Sequence, residues 1–258
     1  MLEARNLRKS FGKLVATDDV DVEFGREPGE TVFIVGPNGA GKTTLVNLLT
    51  GLLEPDDGSV VLRRTDDDGE ETTVDITDMA PEDRVKAGVV RSFQVVHVFE
   101  EMTVRENMRT AVLAEQDLLG SAFSFSDEHE GVEAIVDDLL ERFRLDDQQH
   151  VVADKLPHGD RKLLDVAMSF GLDPDVLLLD EPTSGVSAQE TDYVMETIVN
   201  VSKAEGVTTV AIEHDMDIVS THADRVIALH QGSVLGEGGP SILETDDELR
   251  RVLLGVSG

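Results

Sequence analysis

The segment "FIVGPNGAGKTT", residues 33–44, restricts what this chain can fold into more than any other. Gly36, Gly41, Lys42 and Thr43 stand at the spacing G-x-x-x-x-G-K-[ST], with a strand-like apolar run, Thr31–Val35, before them and a helical pattern over residues 42–50 after them. Glycines in such a loop let backbone N–H groups converge on a phosphate, and the helix N-terminus adds the positive end of its dipole. Lys42 is then placed to bridge the β- and γ-phosphates of a nucleotide, and the Thr43 hydroxyl to ligate Mg²⁺. A structural glycine turn has the same composition but not these two flanks. The loop holds a phosphate without saying what the phosphate is for.

Two further apolar runs, Val176–Asp180 and Thr208–Ile212, fit strands of a parallel sheet covered on both faces. Asp180 ends the first, where its carboxylate can hold Mg²⁺ through water, and Glu181 follows as a candidate general base for an attacking water. Adjacent acids at a strand end are often an exposed turn, but the phosphate loop upstream favours the chemical reading. His214 directly follows the second run and is placed to bond a γ-phosphate. Gln94, in "RSFQVV", follows another strand-like run, where its amide can sense Mg²⁺ and the γ-phosphate. A lone Gln or His is more commonly structural or solvated. His97, His129, His150, His222 and His230 show no metal-ligand spacing.

At 258 residues the chain is long enough for one α/β domain with a satellite subdomain. The stretches "VDVEF" and "SVVLRRTDDDGEETTVDI" read as antiparallel β with an Asp-Gly turn. Residues 103–169 read as mostly helical, with a polar break at "GSAFSFSDEHEGVE", so a helical insertion divides the α/β core. No apolar run approaches the roughly 20 residues of a spanning helix, and the N-terminus shows no hydrophobic signal region, so the expected location is the cytoplasm. The absence of cysteine excludes disulfides, thiol catalysis and Cys-zinc sites. With 53 Asp+Glu against 22 Lys+Arg, a formal charge of −31, no basic stripe is available for nucleic acid. The acid is spread along the chain rather than gathered in a tail. That suits a halophilic surface in molar salt, where screening removes self-repulsion; an ordinary acidic protein is the alternative.

The segment "LPHGDRKLLDVAM", residues 156–168, discriminates among nucleotide-binding machines. Leu156, Pro157, His158, Gly159 and Asp160 precede an amphipathic helix, shortly before "DPDVLLLDEP". Here the chain resembles the ATP-binding-cassette (ABC) ATPase family, whose signature is usually Leu-Ser-Gly-Gly-Gln at this place. The resemblance covers nearly the whole chain, with the family elements in order. They are Phe11 in "KSFGKLVA", residues 36–44, Gln94, the signature, Val176–Asp180 with Glu181, the turn "SGVSA" at 184–188, and His214.

This resemblance implies an α/β P-loop NTPase fold with a RecA-like parallel-sheet core and an antiparallel β subdomain. A helical subdomain is inserted between the phosphate loop (Walker A) and the Asp180–Glu181 strand end (Walker B). It implies a single ABC ATPase domain: a core from 1–95 and 170–235, a helical signature part from 96–169 and a C-terminal helical tail from 236–258. ATP and Mg²⁺ are the implied ligands. Phe11 and Ala16 would lie beside the adenine, with Gly36, Pro37, Asn38, Gly39, Ala40, Gly41, Lys42, Thr43 and Thr44 around the phosphates. Thr43, Gln94 and Asp180 would serve the metal, and Glu181, His214, Gln94 and Lys42 catalysis. Leu156, Pro157, His158, Gly159 and Asp160 would face nucleotide held by a second subunit. Pro157, His158 and Asp160 depart from the usual signature, and with the serine a hydroxyl contact to the γ-phosphate is lost. Gly159 and the helix dipole are left to supply the backbone part. A larger side chain at Gly159 is then expected to push the phosphate away.

The form Leu-Pro-His/Tyr-Gly, the run "GVVRSFQVVHVFEEMTVRENM" (88–108) and "AIEHDMDIV" (211–219) are similar to the branch that powers branched-chain amino acid uptake. The closing "DDELRRVLLG" resembles that branch's C-terminal helix, with its usual Tyr-Leu-Gly ending altered. This implies the ATP-hydrolysing subunit of an importer, for branched-chain amino acids or for urea and short amides, at the cytoplasmic face of the membrane. The implied partners are a second ABC ATPase subunit, like or paralogous, in a head-to-tail dimer, and two integral-membrane permease subunits. The permeases would dock beside Gln94 and the lip "VVHVFEEM" (95–102), which core packing explains equally well. An extracellular solute-binding protein would act indirectly. Rivals from other classes are a soluble cassette ATPase serving as an assembly scaffold, as in iron–sulfur cluster biogenesis, and a nucleotide-binding regulator. The branch-like motifs weigh against the first, and intact Glu181 and His214 against the second. A DNA-repair ATPase would need long heptad arms and basic surface.

The charge predicts a salt response. Lowering KCl from about 1 M to about 0.1 M lengthens the screening distance from about 3 Å to about 10 Å. The melting temperature and the ATPase rate should both fall. A melting temperature that stays flat or rises toward low salt contradicts the halophilic surface.

Overall fold

The computed structural model describes residues 1–65, 71–92, 98–115 and 126–254. Gln94, the first three residues of the apolar lip (95–97), and the Asp-Gly turn within 66–70 lie outside the described residues.

The chain begins with a hairpin of β1 (Leu2–Phe11) and β2 (Leu14–Phe24), and β3 (Thr31–Val35) leads to α1 (Lys42–Leu49). A second hairpin pairs β4 (Asp57–Thr65) with β5 (Glu71–Asp75), after which α2 (Pro81–Lys86) and β6 (Val89–Ser92) return to the core. The helical insertion consists of α3 (Val104–Glu115), α4 (Ser126–Arg142) and α5 (His158–Phe170). Then come β7 (Val176–Asp180), α6 (Ala188–Glu205), β8 (Thr208–Ile212), α7 (Met216–His222), β9 (Arg225–His230) and β10 (Ser233–Gly238). Two short helices, α8 (Ile242–Thr245) and α9 (Asp247–Leu254), close the described chain.

Two sheets result. One is antiparallel in the order β2-β1-β4-β5; the other runs β10-β9-β3-β8-β7-β6 and is parallel except for β10. β3 lies between β8 and β9 with all its residues buried. Side chains alternate along a strand, so each parallel strand feeds two cores. Val32 and Ile34 join the core that α1 and the antiparallel sheet cover, whereas Phe33 and Val35 join the core made with α3 to α7. β7 divides the same way, Leu178 toward α1 and Leu177 and Leu179 toward the helices. Continuous apolar strands are what this double burial requires.

Three boundaries differ from the sequence expectation. Residues 126–133, expected within a polar break, form the first turns of α4. Val132, Val136, Leu139 and Leu140 recur at helical spacing and are buried, which extends the helical pattern into this stretch. Residues 236–238, expected in a helical tail, belong to β10, where Glu237 pairs opposite Ile227. The helix expected over 42–50 ends at Leu49, with Thr50 as its cap.

A buried cation fastens the end of α1. Arg84, on α2, is 1% exposed and donates to the carbonyls of Leu48, Leu49, Thr77 and Met79 at 2.6–3.2 Å. Leu48 and Leu49 end α1, where carbonyls lack intrahelical partners and the dipole is negative. Burial pushes the pKa of this guanidinium down, and Asp75 and Asp78 oppose the shift. Arg84→Met removes these buried donations to four carbonyls and should cost about 3 kcal/mol. Guanidinium unfolding should show a lower midpoint at unchanged slope; an unchanged midpoint contradicts the capping role.

Candidate functional site

Residues 36–41 turn the chain from β3 into α1, and three glycines there have positive φ: Gly36 (+153°), Gly39 (+80°) and Gly41 (+103°). A Cβ at Gly36 would stand 2.3 Å from the carbonyl oxygen of Leu229, and one at Gly41 2.3 Å from that of Ala16. The loop is thus pressed between β9 and β2. A Cβ at Gly39 would meet nothing within 4 Å, so that residue borders open space. Ala40 donates its N–H to the Pro37 carbonyl (3.1 Å), and its own carbonyl accepts from Gly232 N (3.0 Å) in the β9–β10 turn. The buried Lys42 folds back over the loop, Nζ donating to the carbonyls of Gly36 (2.7 Å) and Pro37 (3.3 Å). Burial lowers the Lys42 pKa, and the carboxylates of Glu181 and Asp180 act against the shift.

Asp180 ends β7 almost buried, its Oδ2 accepting from Arg91 at 2.8 Å. Glu181 has φ +50°, rare for a residue with a side chain. Its N–H donates to the Ile212 carbonyl (3.0 Å), tying the turn to β8. The turn sends its carboxylate toward His214, with Oε1 3.0 Å from Nε2. Glu213, buried, accepts from the N–H and hydroxyl of Thr183 (3.1 and 2.6 Å) and from His214 N (3.2 Å). It thereby holds His214 against the turn that follows Glu181. The sequence reading passed over Glu213, because an acid beside a candidate histidine carries no signal until its partner Thr183 is known.

Phe11, Leu14, Ala16, Asn38, Gly39, Ala40, Gly41, Lys42, Thr43, Thr44, Glu181, Ile212 and His214 line one cavity of 370 Å³. Phe11, at the tip of the β1–β2 hairpin, is 49% exposed at its rim. Larger cavities of 740 and 480 Å³ lie around Arg64 and Asp175 and hold none of the predicted site residues. Volume does not locate the chemistry; the convergence of motifs does. Among the described residues no cluster of three or more His, Cys, Asp and Glu could hold a metal. The Thr43 hydroxyl and the Asp180 carboxylate are oxygen donors that suit Mg²⁺, which binds through one or two protein oxygens together with substrate phosphates.

The signature residues do not line this cavity. Leu156 is buried, Pro157 and His158 are exposed at the N-terminus of α5, and Asp160 accepts from Gln148 Nε2 at 2.7 Å. Gly159 is buried against its own chain: a Cβ there would stand 3.4 Å from Val194 Cγ2 and 3.6 Å from Glu190 Cβ, both on α6. A Cβ there makes ordinary contact with α6, so a side chain larger than alanine would also press on α6.

The sequence model of the ABC transporter family matches residues 20–184. The chain is 34% identical to the high-affinity branched-chain amino acid transport ATP-binding protein LivG of Escherichia coli (strain K12), over 99% of this chain and 98% of the relative. It is 32% identical to the probable branched-chain amino acid transport ATP-binding protein LivG of Archaeoglobus fulgidus, over 99% of this chain and 96% of the relative. A solved ATP-binding cassette of an ABC transporter, in its ADP conformation, superposes with a TM-score of 0.80 at 27% identity, covering 99% of each chain.

Because the Phe11 ring is exposed, Phe11→Ala should leave the melting temperature in place. ATP affinity should weaken about tenfold, since stacking a base on an aromatic ring contributes about 1–3 kcal/mol. Competition by inorganic tripolyphosphate, which has no base, should be unaffected. Equal weakening of both ligands contradicts a stacking role.

Proposed function

Because the chain belongs to the ABC transporter family and is an ATP-hydrolysing transporter ATPase, we propose that it powers the import of branched-chain amino acids, hydrolysing ATP held in the cavity between Phe11 and His214. The observation that carries the catalytic part is the 3.0 Å contact of Glu181 with His214, in the cavity that the phosphate loop also lines. In this reading the backbone N–H groups of the loop and the Lys42 ammonium hold the β- and γ-phosphates. Glu181 accepts the proton of the attacking water, while His214 orients that carboxylate and reaches the γ-phosphate. Thr43, Asp180 and Gln94 would hold Mg²⁺, which when bound neutralises charge on the β- and γ-phosphates. Pro157 and His158 would meet nucleotide held by a second ATPase subunit in a head-to-tail dimer.

The transport part rests on the names of the relatives and on the described end of the apolar lip. There Val98 is buried, while Phe99 (48%) and Met102 (39%) are exposed. The lip thus divides residue by residue between core and surface. Asn107, fully buried, accepts from the N–H of Phe99 (2.7 Å) and donates to the carbonyls of Phe99 (3.1 Å) and Thr103 (2.9 Å). The two exposed side chains are therefore presented on a fixed loop, a form suited to a permease contact. Among the described residues no helix is long and apolar enough to cross a membrane; in this reading the path belongs to two permease subunits.

Reconstituted with its permeases, Glu181→Gln should retain ATP binding and accumulate as an ATP-bound dimer. Its hydrolysis should fall by about 10²-fold or more, and leucine uptake with it. Near-normal turnover contradicts Glu181 as the base. Uptake of urea or short amides in place of leucine by the wild type contradicts the solute.

A further inference from the structure

Arg91 has no part in the functional reading, yet two site elements meet at its side chain. Its guanidinium donates to Asn47 Oδ1 on α1 (2.5 Å) and to Asp180 Oδ2 at the end of β7 (2.8 Å). The backbone explains the meeting. In the parallel pairing of β6 with β7, Arg91 lies opposite Leu178, and alternation puts Arg91, Leu178 and Asp180 on one sheet face. Leu178 belongs to the core that α1 covers, so that face is the one α1 packs on. Along α1, Asn47 follows Thr43 by one turn and lies on the same side of the helix. The guanidinium fork therefore reaches from the Thr43 side of the phosphate-loop helix to Asp180. The Arg91 and Asp180 side chains are each 9% exposed, so the bond between them is made largely out of water.

Thr43 and Asp180 are the described residues proposed above for Mg²⁺. We propose that Arg91 is a positioning residue for that ion. By holding Asn47 and Asp180 Oδ2 together, it sets the direction of the Asp180 carboxylate and its spacing from the Thr43 hydroxyl, and so raises the affinity of the site for a divalent cation. This rests on the metal assignment of the functional reading. The sign of the effect separates it from plain electrostatics. A fixed cation beside a carboxylate repels Mg²⁺, so if charge alone mattered, removing Arg91 would tighten metal binding. If the fork positions the carboxylate, removing it weakens metal binding. A planar guanidinium can bond two partners in a fixed fork, whereas an ammonium is a point charge that cannot reproduce it. Arg91→Lys keeps the charge and loses the fork; Asn47→Ala keeps the ion pair and loses only the α1 end.

The test is Mn²⁺ binding by the full chain in the presence of ADP, followed by electron paramagnetic resonance. Mn²⁺ affinity should fall by about tenfold or more in Arg91→Lys, as is usual when a partner of a metal ligand is removed, and by less in Asn47→Ala. ADP binding in EDTA should be unchanged in both variants. The Mg²⁺ concentration that half-saturates ATP hydrolysis should rise in the same ratio, with a smaller change in kcat at saturating Mg²⁺. Mn²⁺ affinity equal to wild type in either variant overturns the proposal, as does tighter Mn²⁺ binding by Arg91→Met. Should Arg91→Lys fail to fold, Asn47→Ala decides alone. A wild type that binds no Mn²⁺ overturns the metal assignment and this proposal together. Binding that is equal across wild type and variants overturns only the role of Arg91.

Discussion

Gly41 can lie against the carbonyl of Ala16, and Gly36 against that of Leu229, only because neither carries a Cβ. That close approach lets β2 and the β9–β10 turn grip the phosphate loop from two sides, with Gly232 N bonded to the Ala40 carbonyl. Within the loop Ala40 N–H closes a turn onto the Pro37 carbonyl, so the grip and this turn together fix the path of the loop. Lys42 fills the inside of the loop, through the carbonyls of Gly36 and Pro37. The core beneath serves the same end. β3 is buried between two parallel strands, so the residue at which the chain leaves the sheet is set by packing on both faces.

Few cations of this acidic chain are buried. Of its 22 Lys and Arg residues, Lys42, Arg84, Lys162 and Arg225 are buried, and Arg91 is nearly so. Arg84 caps the far end of the phosphate-loop helix, Arg91 meets Asp180, and Lys42 bonds the loop carbonyls within the field of Glu181 and Asp180. Lys162, on α5, has its pKa lowered by burial, while Asp165, Glu213, Glu181 and Asp180 oppose the shift. Lys42, Arg91, Lys162 and Arg225 thus face carboxylates, where a charge without a partner is most costly, whereas Arg84 meets carbonyls.

The strands Thr31–Val35, Val176–Asp180 and Thr208–Ile212 were legible in the sequence because double-sided burial writes a continuous apolar run. β9 was not, since Arg225 and His230 bound it and the burial of Arg225 depends on Glu30 and Glu237, remote in the chain. The candidate site divides in the same way. Phe11, the loop, Asp180, Glu181 and His214 belong to local motifs whose chemistry can be read from neighbours. Arg91 and Glu213 act through partners 89 and 30 residues away, and no local pattern marks such a bond. The packing of Gly159 against α6 was likewise not legible, because the sequence says nothing of which helix lies beside it.

The grip on the loop is tested most directly by equilibrium binding of ATP to Gly41→Ala in molar KCl, with near-UV circular dichroism confirming native packing. A Cβ standing 2.3 Å from the Ala16 carbonyl must push the loop away from β2. The account predicts ATP affinity weakened by about tenfold or more, since small displacements of positioning groups are costly. ATP bound as tightly by the natively packed variant as by the wild type would contradict it.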